Sequence, residues 1–495
     1  MKKSIFGILL QLESLFLLLT SAVCFFFKED DWWVFVLSAV LSFTIGALSI
    51  GARKWQNKKL NAYVEKSLSR ADSFMVVALT WVLFSIIGMI PFITLADMKI
   101  TDAFFETMSA FTTTGATVIS DIDGLSHGLK FWRSIMQWMG GLGIVVFTFA
   151  LVPTGEMRNN NVFSAEATGI SLDKFSPKIS STAQRLLLIY LALTGACAVC
   201  YHLGPMDTFD SICHALTTIA TGGFSTHTAS IAYFNSPYIE YVCSLFMLLA
   251  SLNFGMYYYA FIRRWDIIRN NEELNKFSKI VFFSIILFLL LFNYTSYCPE
   301  TFSSLPSGLE EQFRSALFHV SSIISSTGFA ATKFNYVSWG NAFLLPTLIL
   351  MIIGACAGST GGGVKVVRFI VILKAIKNEF IKQLHPRAVL SVNIGGRVIN
   401  EDRIRRTLCF IIIYIGLVMA GITVMSFFDM DPITALGSSI TALSNIGPGA
   451  GLTGPANNFS LIHPVTKWLL SFYMLIGRLE LYTVLFLFMP DFYKK

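Results

Sequence analysis

The sequence predicts an all-α polytopic membrane protein of about ten transmembrane helices: two leading helices, then four pseudo-repeats of helix, re-entrant loop and helix about one central axis. Three observations predict it. The chain of 495 residues is 54% apolar and only 14% charged, whereas soluble domains carry about a quarter charged residues. Apolar runs of about 20 residues, the length that crosses the hydrocarbon core of a bilayer, recur along it. Four glycines, Gly115, Gly222, Gly328 and Gly447, stand 107, 106 and 119 residues apart, each closing a short run rich in Ser, Thr or Asn between apolar stretches.

The apolar runs place spans at 4–27, 33–52, 72–95, 131–152, 182–203, 236–262, 277–297, 339–376, 402–428 and 464–489. The chain then divides into 1–70, two leading helices with a basic loop, and four pore repeats at 71–180, 181–275, 276–400 and 401–495. The first run, Ile5 to Phe27, has no small-residue cleavage site and is followed at once by another span, so it reads as a retained helix. Basic residues crowd the loops 53–71, 263–280 and 377–406, while 204–235 and 429–463 contain no Lys or Arg. By the positive-inside rule the basic loops and both termini are cytoplasmic and the glycine loops face outward. The net charge of +7 is spread over these short loops, so it reports topology and not a nucleic-acid surface.

Each glycine loop opens on a polar turn and a short stretch: Thr101-Asp102 before 103–112, Asp207 before 208–218, Glu310-Glu311 within 309–325, and Asp431-Pro432 before 433–443. Asp and Thr suit helix N-caps, and Pro suits the first helical position. Helices this short cannot span; they fit re-entrant segments, tolerated at membrane depth only where protein or water surrounds them. Each would aim a partly negative carboxyl end at the bilayer centre. Four such ends, followed by glycine turns with their carbonyls on one side, suit a dehydrated monovalent cation. No carboxylate stands beside the four glycines, as a divalent-selective ring requires. The eight cysteines are scattered, Cys197-x-x-Cys200 lies within an apolar span, and the seven histidines show no metal-enzyme spacing. No catalytic constellation is present.

The motifs Thr-Thr-Thr-Gly-Ala-Thr (112–117), Ala-Thr-Gly-Gly-Phe-Ser-Thr-His (220–227), Ser-Ser-Thr-Gly-Phe (325–329) and Ser-Asn-Ile-Gly-Pro-Gly (444–449) resemble the four filter loops of the Trk-type potassium uptake proteins, the TrkH branch of the Trk/Ktr/HKT superfamily. Residues 133–143, 358–366 and Gly477-Arg478-Leu479-Glu480 match it too, and the resemblance covers essentially the whole chain. It implies potassium coordination, mainly by backbone carbonyls, at Thr113, Thr114, Gly115, Ala220, Thr221, Gly222, Ser326, Thr327, Gly328, Asn445, Ile446 and Gly447. All four glycines being present favours potassium over sodium. The third loop departs from the pattern by continuing Gly-Phe-Ala-Ala. The resemblance also implies a bacterial cytoplasmic membrane location, a homodimer, a cytosolic nucleotide-binding regulatory subunit docked on the basic face, and no covalent cofactor.

The eighth span is broken by 354–363. Gly358, Ser359, Thr360, Gly361, Gly362 and Gly363 superficially resemble a phosphate-binding loop, but Val364-Lys365-Val366 follows instead of Lys-Ser/Thr, and an apolar span precedes instead of a strand. A kink for close packing is one reading. The other, matching the family's segment, is a flexible gate beneath the filter. Arg478 lies within the last predicted span, where an arginine is costly unless it faces water or a partner. A salt bridge to another helix and a positive barrier in the pore both satisfy that. A sodium- or proton-coupled alternating-access carrier is the competing class; it needs midplane acids, for which Glu13 and Glu480 are the candidates.

Overall fold

A computed structural model describes residues 2–60, 70–141, 143, 179–296, 306, 308–331, 336–337 and 339–490. Among them, six helices are long and apolar enough to cross a membrane, and two bent helix pairs raise the number to eight. The leading helices, Lys2–Phe26 and Trp32–Leu60, pack along each other through reciprocal glycines. A Cβ on Gly7 would stand 2.5 Å from the Gly46 carbonyl oxygen, and one on Gly46 would stand 2.7 Å from that of Gly7. Small residues allow this approach between apolar helices. In the turn joining the pair, Glu29 accepts the backbone N–H groups of His127 (2.7 Å) and Gly128 (3.0 Å). A carboxylate thereby meets the positive end of the helix His127–Gly141. Residues 142 and 144–152 of the span predicted at 131–152 lie outside the described residues, as do 61–69 of the first basic loop.

The run 72–95 is one span, Asp72–Leu95, with a one-residue turn at Met89 between Arg70–Gly88 and Ile90–Leu95, where Pro91 has no N–H to continue the ladder. Two other spans predicted as continuous are bent. The run 236–262 divides into Pro237–Ala250 and Phe254–Phe261, bent by 91°. There the Asn253 side chain accepts the Gly255 N–H at 2.8 Å and starts a new helix. The run 464–489 divides into Pro464–Arg478 and Tyr482–Phe488, bent by 115°. Glu480 and Leu481 sit there at φ of 56° and 54°, which no right-handed helix accommodates. The expected break in the eighth span separates Asn341–Ile353 from Val366–Leu384. Beyond the latter, Val392–Ile394 and Arg397–Ile399 form an antiparallel hairpin closed by Gly395-Gly396 at positive φ, the geometry of a tight two-residue turn.

Four short helices carry the glycine loops: Ile100–Phe111, Thr208–Ile219, Leu309–Ile324 and Pro432–Ser444. Asp207 and Asp431 cap the second and fourth, accepting from Asp210 N at 2.6 Å and Thr434 N at 2.9 Å. The first differs from expectation. It starts at Ile100 with Lys99 at the cap position and no side-chain cap. Asp102 falls inside its first turn and pairs with Lys467 at 2.6 Å, tying the helix to Pro464–Arg478. Leu15, Leu18, Phe282, Phe283, Leu290, Ile412, Ile415 and Met419 on the long helices are exposed, the outward apolar surface that lipid covers. The chain is thus a multi-pass membrane protein.

Candidate functional site

All four short helices end in one motif. The N–H of Thr113, Thr221, Ser326 and Asn445 each bonds the carbonyl three residues back. The N–H of the next residue, Thr114, Gly222, Thr327 and Ile446, bonds the carbonyl five back, at 2.9, 2.8, 3.0 and 3.1 Å. This pair of bonds is the Schellman ending, which needs a left-handed residue at its first position. Thr113, Thr221, Ser326 and Asn445 accordingly have φ of 53°, 53°, 59° and 52°. Glycine is usual there; threonine pays a steric cost.

Two residues after each left-handed residue stands a glycine, again at positive φ: Gly115 (81°), Gly223 (75°), Gly328 (81°) and Gly447 (104°). The second loop therefore corrects the register read from spacing: Gly223, not Gly222, is the counterpart of Gly115, Gly328 and Gly447. Gly222 is the counterpart of Thr114, Thr327 and Ile446. Because the two glycines are adjacent, spacing could not separate them; the sign of φ does.

These glycines close a ring. A Cβ on Gly115 would stand 2.1 Å from the Gly222 carbonyl oxygen, and one on Gly223 1.9 Å from that of Thr327. One on Gly328 would stand 1.9 Å from the Ile446 oxygen, and one on Gly447 2.7 Å from that of Thr114. The order first, second, third, fourth, first is complete, and no side chain fits at any of the four contacts. Along each loop φ runs positive, negative, positive, which turns successive carbonyls to one side. Ala220 lies one step before this segment, at the C-cap of its helix.

The hydroxyls beside the ring bond within the protein. Thr112 pairs with Thr114 at 2.8 Å and Ser325 with Thr327 at 2.7 Å. The Asn445 side chain donates to the Thr114 hydroxyl (3.0 Å) and to Met474 O (2.9 Å), joining the fourth loop to the first. A wholly buried ion pair joins the first to the second: Arg133 Nε to Glu106 at 3.0 Å, with Arg133 Nη1 donating to Ser225 O at 3.0 Å. Glu106 also accepts from the Thr117 hydroxyl and Val118 N. Sequence reasoning quoted Arg133 only within a motif and passed over Glu106. The signal available was two charges within otherwise apolar or buried-pattern stretches.

On one side of the ring lies a cavity of about 80 Å³. It is lined by residues that follow the glycines in all four loops, among them Ala116, Phe224, Ala330 and Pro448. On the other side, against the helix ends that precede the glycines, lies the broken segment 354–365. Gly362 N donates to the Ser326 hydroxyl at 2.5 Å, and Gly363 N to Ser444 O at 3.1 Å. A Cβ on Gly361 would stand 2.7 Å from Ser325 O, and one on Gly362 2.1 Å from Ser444 O. The Thr360 hydroxyl donates to Ile219 O and Ala250 O, Ser359 to Cys356 O, and Gly358 O accepts from Phe254 N. Gly358 and Gly363 adopt φ of 74° and 79°.

Arg478 is the last residue of its helix, at the bend between Pro464–Arg478 and Tyr482–Phe488. It donates to Thr360 O at 2.8 Å and to Gly140 O and Gly141 O at 2.6 and 2.7 Å, pinning the broken segment to the helix His127–Gly141. Charge-assisted bonds of this kind are about twice as strong as neutral ones. Glu480 points elsewhere and pairs with Arg368.

The comparisons agree with this architecture. A family model described as "Cation transport protein", TrkH, matches residues 37–494. The Trk system potassium uptake protein TrkH of Escherichia coli (strain K12) is 34% identical over 498 residues, spanning 99% of this chain and 98% of that protein. The protein of the same description from Vibrio parahaemolyticus serotype O3:K6 is 35% identical over 508 residues, again 99% and 98%. The crystal structure of the potassium transporter TrkH from Vibrio parahaemolyticus superposes with a TM-score of 0.85 at 32% identity, covering 99% of both chains. These relatives are transporters and not enzymes. Matched from end to end in sequence and in fold, the chain belongs to the TrkH family of cation transport proteins.

Proposed function

We propose that this chain carries potassium into the cell through the ring of glycine turns. The closed order of the four carbonyl–glycine contacts supports this reading above all else. Four helix carboxyl ends converge there, each with about half a negative charge, and the alternating φ presents carbonyls that replace the water of a bare monovalent ion. Thr113, Thr114, Gly115, Ala220, Thr221, Gly222, Ser326, Thr327, Gly328, Asn445, Ile446 and Gly447 are the proposed ligand segments, with Gly223 added by the register. The membrane potential supplies the driving force, about 2.3 kcal/mol per charge per 100 mV. No ATP chemistry is needed in this chain.

The segment from Gly358 to Gly363 acts as the gate and Arg478 as the positive barrier beneath the filter. Their position on the face opposite the cavity, and their bonds to three helix ends, support both roles. The shared helix ending supports the division into four pore repeats. The proposed setting is the bacterial cytoplasmic membrane, with both termini inside, a homodimer, and a cytosolic nucleotide-binding subunit on the face bearing the hairpin. Those points rest on the family resemblance, the loop charges and the relatives' description as parts of a Trk system. The pairing of Glu480 with Arg368 and the place of Glu13 beside Ser42 in the leading helices, away from the ring, favour the pore over the alternating-access carrier.

Rubidium uptake into proteoliposomes holding the purified chain tests the reading. Uptake that potassium displaces and sodium does not is expected, and its absence in the gate-deleted variant, where no regulatory subunit is needed, overturns it.

A further inference from the structure

The second glycine loop lacks the brace that holds the first and third. There, hydroxyls two residues apart bond across the helix ending, Thr112 to Thr114 and Ser325 to Thr327. The matching positions of the second loop are Ala220 and Gly222, which carry no hydroxyl. In their place stands Gln137, from the helix His127–Gly141, completely buried. Its Nε2 donates to Gly222 O at 2.7 Å and its Oε1 accepts from Phe224 N at 3.1 Å. The amide orientation follows from the chemistry, since a carbonyl only accepts and an N–H only donates. The two bonds clamp the peptide planes on either side of Gly223, the ring glycine.

Space confirms the substitution of one side chain for another. A Cβ on Gly222 would stand 2.3 Å from Gln137 Oε1 and 2.4 Å from its Cδ. The volume that Thr114, Thr327 and Ile446 fill in the other loops is therefore filled here by Gln137. The helix reaches this depth through Gly140 and Gly141. A Cβ on Gly140 would stand 1.9 Å from Phe111 O, and one on Gly141 2.7 Å from the Ala220 Cα.

We infer that Gln137 is the positioning residue of the second loop, supplying from a neighbouring helix the brace that the first and third loops make for themselves, and that discrimination between potassium and sodium depends on it. This rests on the proposed role of the ring as a filter.

Gln137→Met keeps a similar volume but can neither donate to Gly222 O nor accept from Phe224 N, and Gly222→Ala displaces the clamp without altering Gln137. Both are compared with wild type in proteoliposomes, at equal amounts of monodisperse protein, by the rubidium-to-sodium permeability ratio. Loss of a buried hydrogen bond at this point is expected to lower the ratio about tenfold in each. The triple variant Ala220→Thr/Gly222→Thr/Gln137→Ala, which gives the second loop its own hydroxyl pair in the vacated space, is expected to restore it. A purely structural role would change the amount of folded protein but not the ratio. Folded single variants with the wild-type ratio overturn the inference, as does a triple variant no more selective than Gln137→Ala alone. Wild-type protein without selective rubidium flux would instead overturn the filter reading.

Discussion

At the scale of single residues, the ring tolerates no added atom. Gly115 combines a positive φ of 81° with a neighbouring carbonyl oxygen 2.1 Å from where its Cβ would be. Gly115→Ser must rotate that carbonyl or widen the ring, and on the proposed filter role both weaken the fit to a dehydrated ion. The expected outcome is a rubidium-to-sodium ratio lowered by an order of magnitude or so, about 1.4 kcal/mol or more, read from liposome flux. Arg133 is a different case, because its side chain is wholly buried with Glu106. Arg133→Met leaves that carboxylate uncompensated, at a cost of about 3–5 kcal/mol, and a lower melting temperature in detergent checks it. Pairing it with Glu106→Gln removes the orphan charge and is expected to recover part of the loss. Each charge stood out in an apolar stretch, but their pairing was not legible, since they stand 27 residues apart and only the fold brings them together. Gln137 escaped for the same reason: a lone glutamine in an apolar run reads as ordinary until its partner Gly222 is known.

At the scale of elements, the short helices were legible because their caps are chemical. Asp207 and Asp431 stand where they were expected. The first helix was placed late because Asp102, a good cap by type, is taken by Lys467 from a distant segment. The bend after Ala250 had a readable signal in Asn253. The bend after Arg478 had none, because nothing about Leu481 foretells a positive φ. That bend explains why Arg478, expected in mid-span, is at a helix end where it reaches three carbonyls. Two predictions belong here. Deleting Gly358 to Gly363 removes the proposed gate and is expected to raise rubidium flux; unchanged flux from well-folded protein sinks that role. Arg478→Ala removes the pin at Thr360 O and the positive charge together, and is expected to raise leak several-fold. A fall in flux from folded protein identifies a purely structural tether.

At the scale of the whole molecule, one contact joins the loops that follow the first and second short helices across the mouth of the cavity. His227, in the loop beyond the second short helix, places Nδ1 2.6 Å from Asp123 and Nε2 3.0 Å from Asp210, and stacks on Tyr233 with ring centroids 3.5 Å apart. Asp123 also accepts from Thr228 N at 3.1 Å. His214 sits nearby, bonded to Asp210 O and the Ser225 hydroxyl, with Arg133 on Ser225 O. Both His227 nitrogens face carboxylates, so only the imidazolium satisfies them. Burial works against the charge, but the bonds to Asp210 and Asp123 outweigh it and hold His227 above its ordinary value of 6.5. Asp123 moves the other way: partial burial opposes ionisation, yet the bonds from His227 and Thr228 hold it below 3.8. A raised histidine contributes stability that is complete below its unfolded pKa and lost as pH rises through the folded one. A depressed carboxylate contributes stability that is present above its unfolded pKa and lost in acid. The clasp is therefore whole from about the ordinary aspartate range up to the ordinary histidine range, and loosens as pH climbs above 6.5. Wild-type protein is expected to lose thermal stability over that alkaline interval, while His227→Gln, which cannot carry the charge, starts lower and stays flat there. Parallel melting curves for the two proteins across the interval would show that the clasp does not titrate.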